Sequence, residues 1–259
     1  MTIRISTALR NYMLAEGSIK QALQKGKLLI YSGSQPASAD YAPTGTLLAT
    51  ITAEGVAHTD EVQATGTITI SGTTGGVSTV TVNSVNIIPG GAVPFNTSLT
   101  QTAADLAAAI NKGLSSPEYT ATSSGAVVTI TAARGVGTGA NGFVVTGTYT
   151  GDMGGTYANM ASGVDAVSGL QFETSASGTM SKDSTQNWKG DGVTSGVAGW
   201  ARFVGAVADS GVADSSATEI RLDGSIGTSG TDIIMVGSAS VASGAVQTIA
   251  SFDLTMPAS

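Results

Sequence analysis

The sequence predicts a mainly β protein. Its two chain ends are expected to build one antiparallel β-sandwich or jelly-roll-like outer domain with a short N-terminal helix. A small inserted α+β domain of ββαββ order interrupts that outer domain. Three observations lead there. Runs of period-two alternation recur along the whole chain, as half-buried strands require. One amphipathic helical pattern, residues 102–112, stands between strand-like runs at 65–72 and 77–88 before it and 119–132 and 143–151 after it. Charged residues make up only 11% of the chain, while 35 glycines punctuate it, so the polar strand faces are hydroxyl-rich rather than charged. The expected division is 1–60 with 160–259 as a discontinuous assembly domain, and 61–159 as its guest.

Taken in order, Ser6 or Thr7 can cap a helix that turns Ala8, Leu9, Tyr12 and Met13 to one side. Gly17 ends it, and Ser18 opens a second short segment, stopped at Gly26. Lys27 to Tyr31 reads as a buried strand, and the Pro- and Ser-containing run to Gly45 reads as a loop. The next strand carries Leu47, Ala49 and Ile51 on one face. Residues 54–61 form a polar connector that holds the only histidine, His58.

Within the insert, Thr100 or Thr102 is expected to cap the helix. Leu106, Ala109 and Ile110 would face a sheet, and Lys112-Gly113 would stop it. Residues 152–168 read as an irregular return linker. Beyond them, residues 199–205 form a strand with Trp200, Arg202 and Val204 on one face and Phe203 on the other. In Glu219-Ile-Arg-Leu-Asp, Ile220 and Leu222 point inward while Glu219, Arg221 and Asp223 point outward. Thr231 to Val236 is apolar on both faces and fits a central strand. Val246, Thr248, Ala250, Phe252, Leu254 and Met256 form the expected inward face of the last strand.

Composition narrows the function. A net charge of −7 with dispersed basic residues argues against nucleic acid as a partner, since phosphate neutralisation needs a basic patch. The absence of cysteine excludes disulfides, thiolate metal sites and cysteine nucleophiles. No apolar run is long enough for a membrane-spanning helix. The N-terminal residues lack a continuous apolar core of the signal-peptide kind, so assembly in the cytosol is expected. Few charges need desolvating when such surfaces pack, which favours a homo-oligomer.

The motifs that could carry chemistry are thin. Gly137-Thr-Gly-Ala-Asn-Gly142 matches a dinucleotide fingerprint in spacing, but a strand rather than a helix follows, which favours a hairpin. His58 is the only histidine available to a triad, no nucleophile elbow accompanies it, and it reads as an exposed loop residue. The acids Asp183, Asp191, Asp209, Asp214, Glu219, Asp223 and Asp232 are scattered at turns, without the aromatic lining of a sugar cleft. Asp183, Asn187 and Asp191 offer oxygen ligands at a spacing that does not match a calcium loop. No catalytic, cofactor-binding or metal-binding residue is therefore assigned. The interface candidates are Tyr12 and Met13 on the first helix, and Trp200 with Arg202. For Trp200 the alternative is that it fills the sandwich core.

Two sets of residues resemble tailed-bacteriophage virion proteins. The outer pieces, from Thr7-Ala-Leu-Arg-Asn through Gly26-Lys-Leu-Leu-Ile-Tyr-Ser-Gly-Ser, then Gly199-Trp-Ala-Arg-Phe, Ile220-Arg-Leu-Asp-Gly-Ser-Ile-Gly and Ile249-Ala-Ser-Phe-Asp-Leu-Thr, are similar to small structural proteins of phage morphogenesis regions. The insert resembles a module of phage structural proteins through Val82-Asn-Ser-Val-Asn, Pro94-Phe, Thr102-Ala-Ala-Asp-Leu-Ala-Ala-Ala-Ile-Asn, Tyr119-Thr-Ala and Gly139-Ala-Asn-Gly. The resemblance implies a non-enzymatic virion component, a capsid decoration or neck and collar protein. Its partners would be further copies of itself and the capsid, portal or tail proteins. The inserted knob would make at most a weak contact with host-surface glycans. A tail tube or baseplate protein is the alternative, and a carbohydrate-binding or glycan-depolymerising module is the second.

Overall fold

The computed structural model describes residues 3–113 and 115–256 and is mainly β. The N-terminal piece holds β1 (Arg4–Ile5), α1 (Thr7–Ala15), α2 (Ile19–Leu23), β2 (Lys27–Ser32) and β3 (Leu47–Ala53). The central piece holds β4 (Thr65–Ser71), β5 (Gly75–Val82), β6 (Val85–Asn86), β7 (Val93–Pro94), α3 (Leu99–Ile110), β8 (Thr120–Ser124), β9 (Val127–Thr131), β10 (Val145–Gly151) and β11 (Gly154–Ala161). The C-terminal piece holds β12 (Thr179–Ser181), β13 (Trp188–Asp191), β14 (Gly196–Val204), β15 (Arg221–Gly227), β16 (Ile233–Met235), β17 (Ser240–Val241) and β18 (Val246–Thr255). Contacts divide the chain into one unit of 1–61 with 166–259 and a second of 62–165.

In the first unit, seven strands follow one another in the order β15, β16, β18, β13, β3, β2 and β14. Pairing of β14 back onto β15 closes the ring, with Trp200 opposite Ser225 and Val204 opposite Arg221. The sheet thus closes on itself as a barrel, where the sequence reading expected two facing sheets. Closure follows from β14, a nine-residue strand long enough to pair with β2, β15 and β17. All contacts in the ring are antiparallel except β15 with β16. Both chain ends are needed, because β2 and β3 sit between β14 and β13.

The barrel interior is a single apolar cluster. Leu28, Ile30, Ile51, Trp188, Phe203, Leu222, Ile233, Ile249 and Phe252 come from the strands, and Leu9, Tyr12, Ala22 and Leu23 from the two short helices. At its centre, the Phe203 and Phe252 rings lie 4.7 Å apart and Trp188 meets Phe172 edge-on at 5.3 Å. The helices start where the sequence says. Ser6 Oγ accepts from Leu9 N–H, and Ser18 forms a reciprocal capping box with Gln21. The last strand departs from its expected inward face. Ile234 pairs with Ser251 but Met235 pairs with Ile249, so Ala250 is an extra residue. This bulge reverses the alternation: Gln247 and Ile249 are buried before it, Phe252 and Leu254 after it, and Val246 is exposed.

In the second unit, β10, β5 and β6 form one sheet with β7 on β5, and β11, β4, β9 and β8 form another. The β4–β5 and β10–β11 hairpins each pass from one sheet to the other, and Asp152 binds the two tips together by accepting from Thr73 N–H, Thr74 N–H and Thr74 Oγ1. Helix α3 buries Ala103, Leu106, Ala107 and Ile110 in a core with Ile68, Val80, Val128 and Ile130. Ser98, rather than Thr100 or Thr102, is its cap. Thr102 lies one turn in, where its hydroxyl donates to the Ser98 carbonyl. The expected linker at 152–168 contains strand β11, which pairs with β4 from Gly154 opposite Ser71 onward. Its glycines disguised it in the sequence. A Cβ on Gly155 would come within 2.1 Å of the Tyr149 hydroxyl, so the small residue is what lets that ring lie across the strand.

Candidate interaction surfaces

The interface candidates from the sequence do not present themselves to solvent. Tyr12 is buried and Met13 is partly buried against the barrel core. Trp200 and Arg202 are fully buried. They lie on the outer face of the barrel wall, as the alternation of β14 requires, but two irregular segments, 33–46 and 207–219, close over that face. Beneath them Tyr31 stacks on Trp200 at 4.7 Å, and Leu29 and Val204 complete a small second core.

Charge holds these straps down. Arg202 donates to both carboxylate oxygens of Asp223, at 2.7 and 2.8 Å, with neither side chain exposed. Its remaining donors reach the Gly211 carbonyl at 3.0 Å and the Tyr41 carbonyl at 2.9 Å, one on each strap. Arg221 donates to both oxygens of Asp209 and to the Ala213 carbonyl. Arg221 and Asp223, expected to face water, are therefore buried. Burial pushes the Asp223 carboxyl upward, and the Arg202 guanidinium pulls against it.

The straps are also tied to each other and to α1. Ala42 N–H donates to Asp214, Ser215 N–H donates to the Asp40 carbonyl, and Asp40 accepts from the Thr7 backbone and hydroxyl. At the foot of the second strap, Glu219 accepts from Ser215 and Ser216 hydroxyls and from Ser216 N–H. Partial burial works to raise its pKa, but the Ser216 and Ser215 donors outweigh it and bring the group to about 2.

His58, expected to be exposed, has a side chain that is only 4% exposed. Its Nε2 lies 3.2 Å from Asp60 Oδ1, which also accepts from Lys27 Nζ at 2.7 Å. Burial lowers its pKa first and Lys27 adds to the shift, against the opposing pull of Asp60. Among the described residues no serine or threonine hydroxyl is hydrogen-bonded to its ring.

The other motifs are used in packing. The Gly137–Gly142 loop is a 3-10 turn followed by strand β10. Gly137 has φ +50°, and a Cβ there would fall 2.2 Å from Asp165 Oδ1, which accepts from Thr138 N–H. Asp183 binds Thr185, Asn187 binds Glu54, and Asp191 pairs across the sheet with Val246.

One protective device had no clear sequence signal. Strand β8 is the edge of its sheet and bears no charge. Asn111, just past α3, donates to the Ala121 carbonyl at 2.8 Å and accepts from Ala121 N–H at 2.7 Å. It occupies the outward-facing backbone groups of Ala121, near the start of the edge, where another strand would add.

Among the described residues no helix is long and apolar enough to cross a membrane. The chain matches no protein-family model, no curated protein and no solved structure.

Proposed function

We propose that this chain is a non-enzymatic structural protein of a tailed-phage virion, assembling as a homo-oligomer on the particle as a capsid decoration or neck and collar protein. The observation that supports it most is how the charges are used. The two buried arginines donate to their carboxylate partners and to strap carbonyls, fixing surface straps to a barrel wall. The remaining surface is largely hydroxyls, glycines and scattered valines. A rigid body with a weakly charged surface suits packing against neighbouring subunits. Binding only to the assembled lattice would stabilise that lattice by mass action. The second unit, entered and left through one two-stranded neck at Thr59 and Val167, would act as a separate knob carrying any weak glycan contact.

The test is to identify the chain in purified particles by mass spectrometry and to locate its density by electron cryomicroscopy. Density on the head or neck, in symmetric copies, is the expected result. Its absence from purified particles would refute the reading, and density in the tail tube or baseplate would move the protein to the alternative role.

A further inference from the structure

His58 is the only histidine of a chain without cysteine, and histidine is the side chain whose ordinary titration falls near neutral pH. It lies in the 54–61 connector that follows β3. Backbone bonds pin this connector along its length. Glu54 N–H donates to the Asn187 carbonyl and Glu61 N–H to the Ala206 carbonyl, both at 2.8 Å. Between them Thr59 and Val167 exchange a pair of bonds, and Ala53 N–H donates to the Ser168 carbonyl at 2.9 Å. Both ring nitrogens of His58 are shielded from solvent, and among the described residues neither has a well-aligned hydrogen-bond partner. Asp60 Oδ1 lies 3.2 Å from Nε2, close but poorly aligned.

The charges around this ring decide what a proton would do. Lys27 Nζ, from β2, already donates to Asp60 Oδ1 at 2.7 Å. A proton on His58 would put a second cation beside that one carboxylate, where burial denies it water. Asp60 and the Ser168 backbone favour the proton; burial and Lys27 oppose it and prevail. The connector's other acids are Glu54, which pairs with Lys189 at 3.7 Å, and Glu61, which is buried. With the connector closed, His58 is therefore held neutral. With the connector lifted, the ring is hydrated and takes its proton at the ordinary value of 6.5. Acid thus favours the lifted form.

We propose that His58 is a proton-operated latch, whose protonation in mildly acidic solution releases residues 54–61 from β2 and from the return segment at 167–168. The sign follows from the linkage. A histidine pulled below 6.5 in the closed form stabilises that form fully above pH 6.5, and the contribution is lost as the pH falls from 6.5 towards the closed-state midpoint. The test uses the full chain. An NMR titration follows the imidazole of its single histidine. Amide hydrogen exchange between about pH 7.5 and about pH 5, expressed as protection factors, follows Thr59 and Val167. Val236, whose N–H donates to the Thr248 carbonyl, serves as the control.

The expected result is an imidazole midpoint below 6.5. Protection at Thr59 and Val167 should fall by about tenfold per pH unit below 6.5, the slope of one proton, while Val236 holds. His58→Gln, which takes no proton, should flatten that slope. Lys27→Met leaves Asp60 free to pair with the imidazolium, so it should raise the midpoint, a change that a purely structural role would not produce. A midpoint at or above 6.5 would overturn the latch whether or not His58→Gln folds. So would level protection in acid, an equal slope in His58→Gln, a parallel fall at Val236, or a midpoint that Lys27→Met does not raise.

Discussion

Replacing Arg202 with methionine removes the charge but keeps much of the side-chain volume against Trp200. It strands the Asp223 carboxylate, which is wholly buried and receives both of its short hydrogen bonds from this one guanidinium. Breaking a buried pair from one side costs about 3–5 kcal/mol. The Gly211 carbonyl also loses its 3.0 Å donor, which adds about 1–3 kcal/mol where water cannot replace it. The Tyr41 carbonyl lies on an exposed residue and can rehydrate at little cost. The expected loss is therefore about 4–8 kcal/mol, comparable to the whole stability of many domains.

The double variant Arg202→Met/Asp223→Leu strands no charge. It should recover most of that loss, because apolar replacements of buried pairs are often neutral or better. Urea unfolding followed by tryptophan fluorescence is the assay. Both tryptophans, Trp188 and Trp200, belong to the barrel unit, so the signal reports on that unit alone. A loss below about 1 kcal/mol in the single variant, or a double variant no more stable than the single one, would refute the role given to the pair.

Glu219 gives a pH prediction. Its folded pKa is lowered to about 2, so its contribution is fully present above the unfolded value near 4.5 and is lost as pH falls through 2. Wild type should therefore exceed Glu219→Gln in strap protection by hydrogen exchange near neutrality, with the gap closing on acidification; a gap that widens in acid would contradict the assignment. Asn111→Ala removes two hydrogen bonds and uncovers the edge of β8, so light scattering should show concentration-dependent association alongside a loss of about 1–3 kcal/mol. A variant as soluble as wild type would remove the edge-guarding role. Gly137→Ala forces a Cβ onto Asp165 at a residue with positive φ, and thermal melts of residues 62–165 should drop by several degrees; an unchanged melt would show that the turn relaxes freely.

Much of the fold can be read from local pattern. Ser6 and Ser18 mark two helix starts with the chemistry that unsatisfied N–H groups demand. The alternation around Trp200 sets Phe203 apart from Trp200, Arg202 and Val204, but it does not say which face enters the barrel: Ala201 and Phe203 do, and Trp200, which could have filled that core, lies in the small cluster outside it. What that other face meets is not local. Arg221 and Asp223 alternate like solvent-facing residues, yet straps distant in sequence cover them, so burial depends on tertiary contacts that no period encodes. The bulge at Ala250 defeats a period-two reading for a similar reason, since one extra residue reverses every side chain after it. Strand β11 was hidden because one of its glycines, Gly155, makes room for a neighbouring tyrosine ring rather than marking a turn. Ring closure is also invisible locally, because it depends on one strand, β14, pairing on both sides.

The central structural claim is that the two chain ends form one closed barrel without help from residues 62–165. Thr59 and Val167 exchange backbone hydrogen bonds at 3.2 and 3.0 Å, so Glu61 and Ala166 can be joined by a short Gly/Ser bridge. In that shortened chain, tryptophan emission should stay blue-shifted, as two buried indoles require, and urea should unfold it in one cooperative transition. Red-shifted emission with no cooperative transition would contradict the claim.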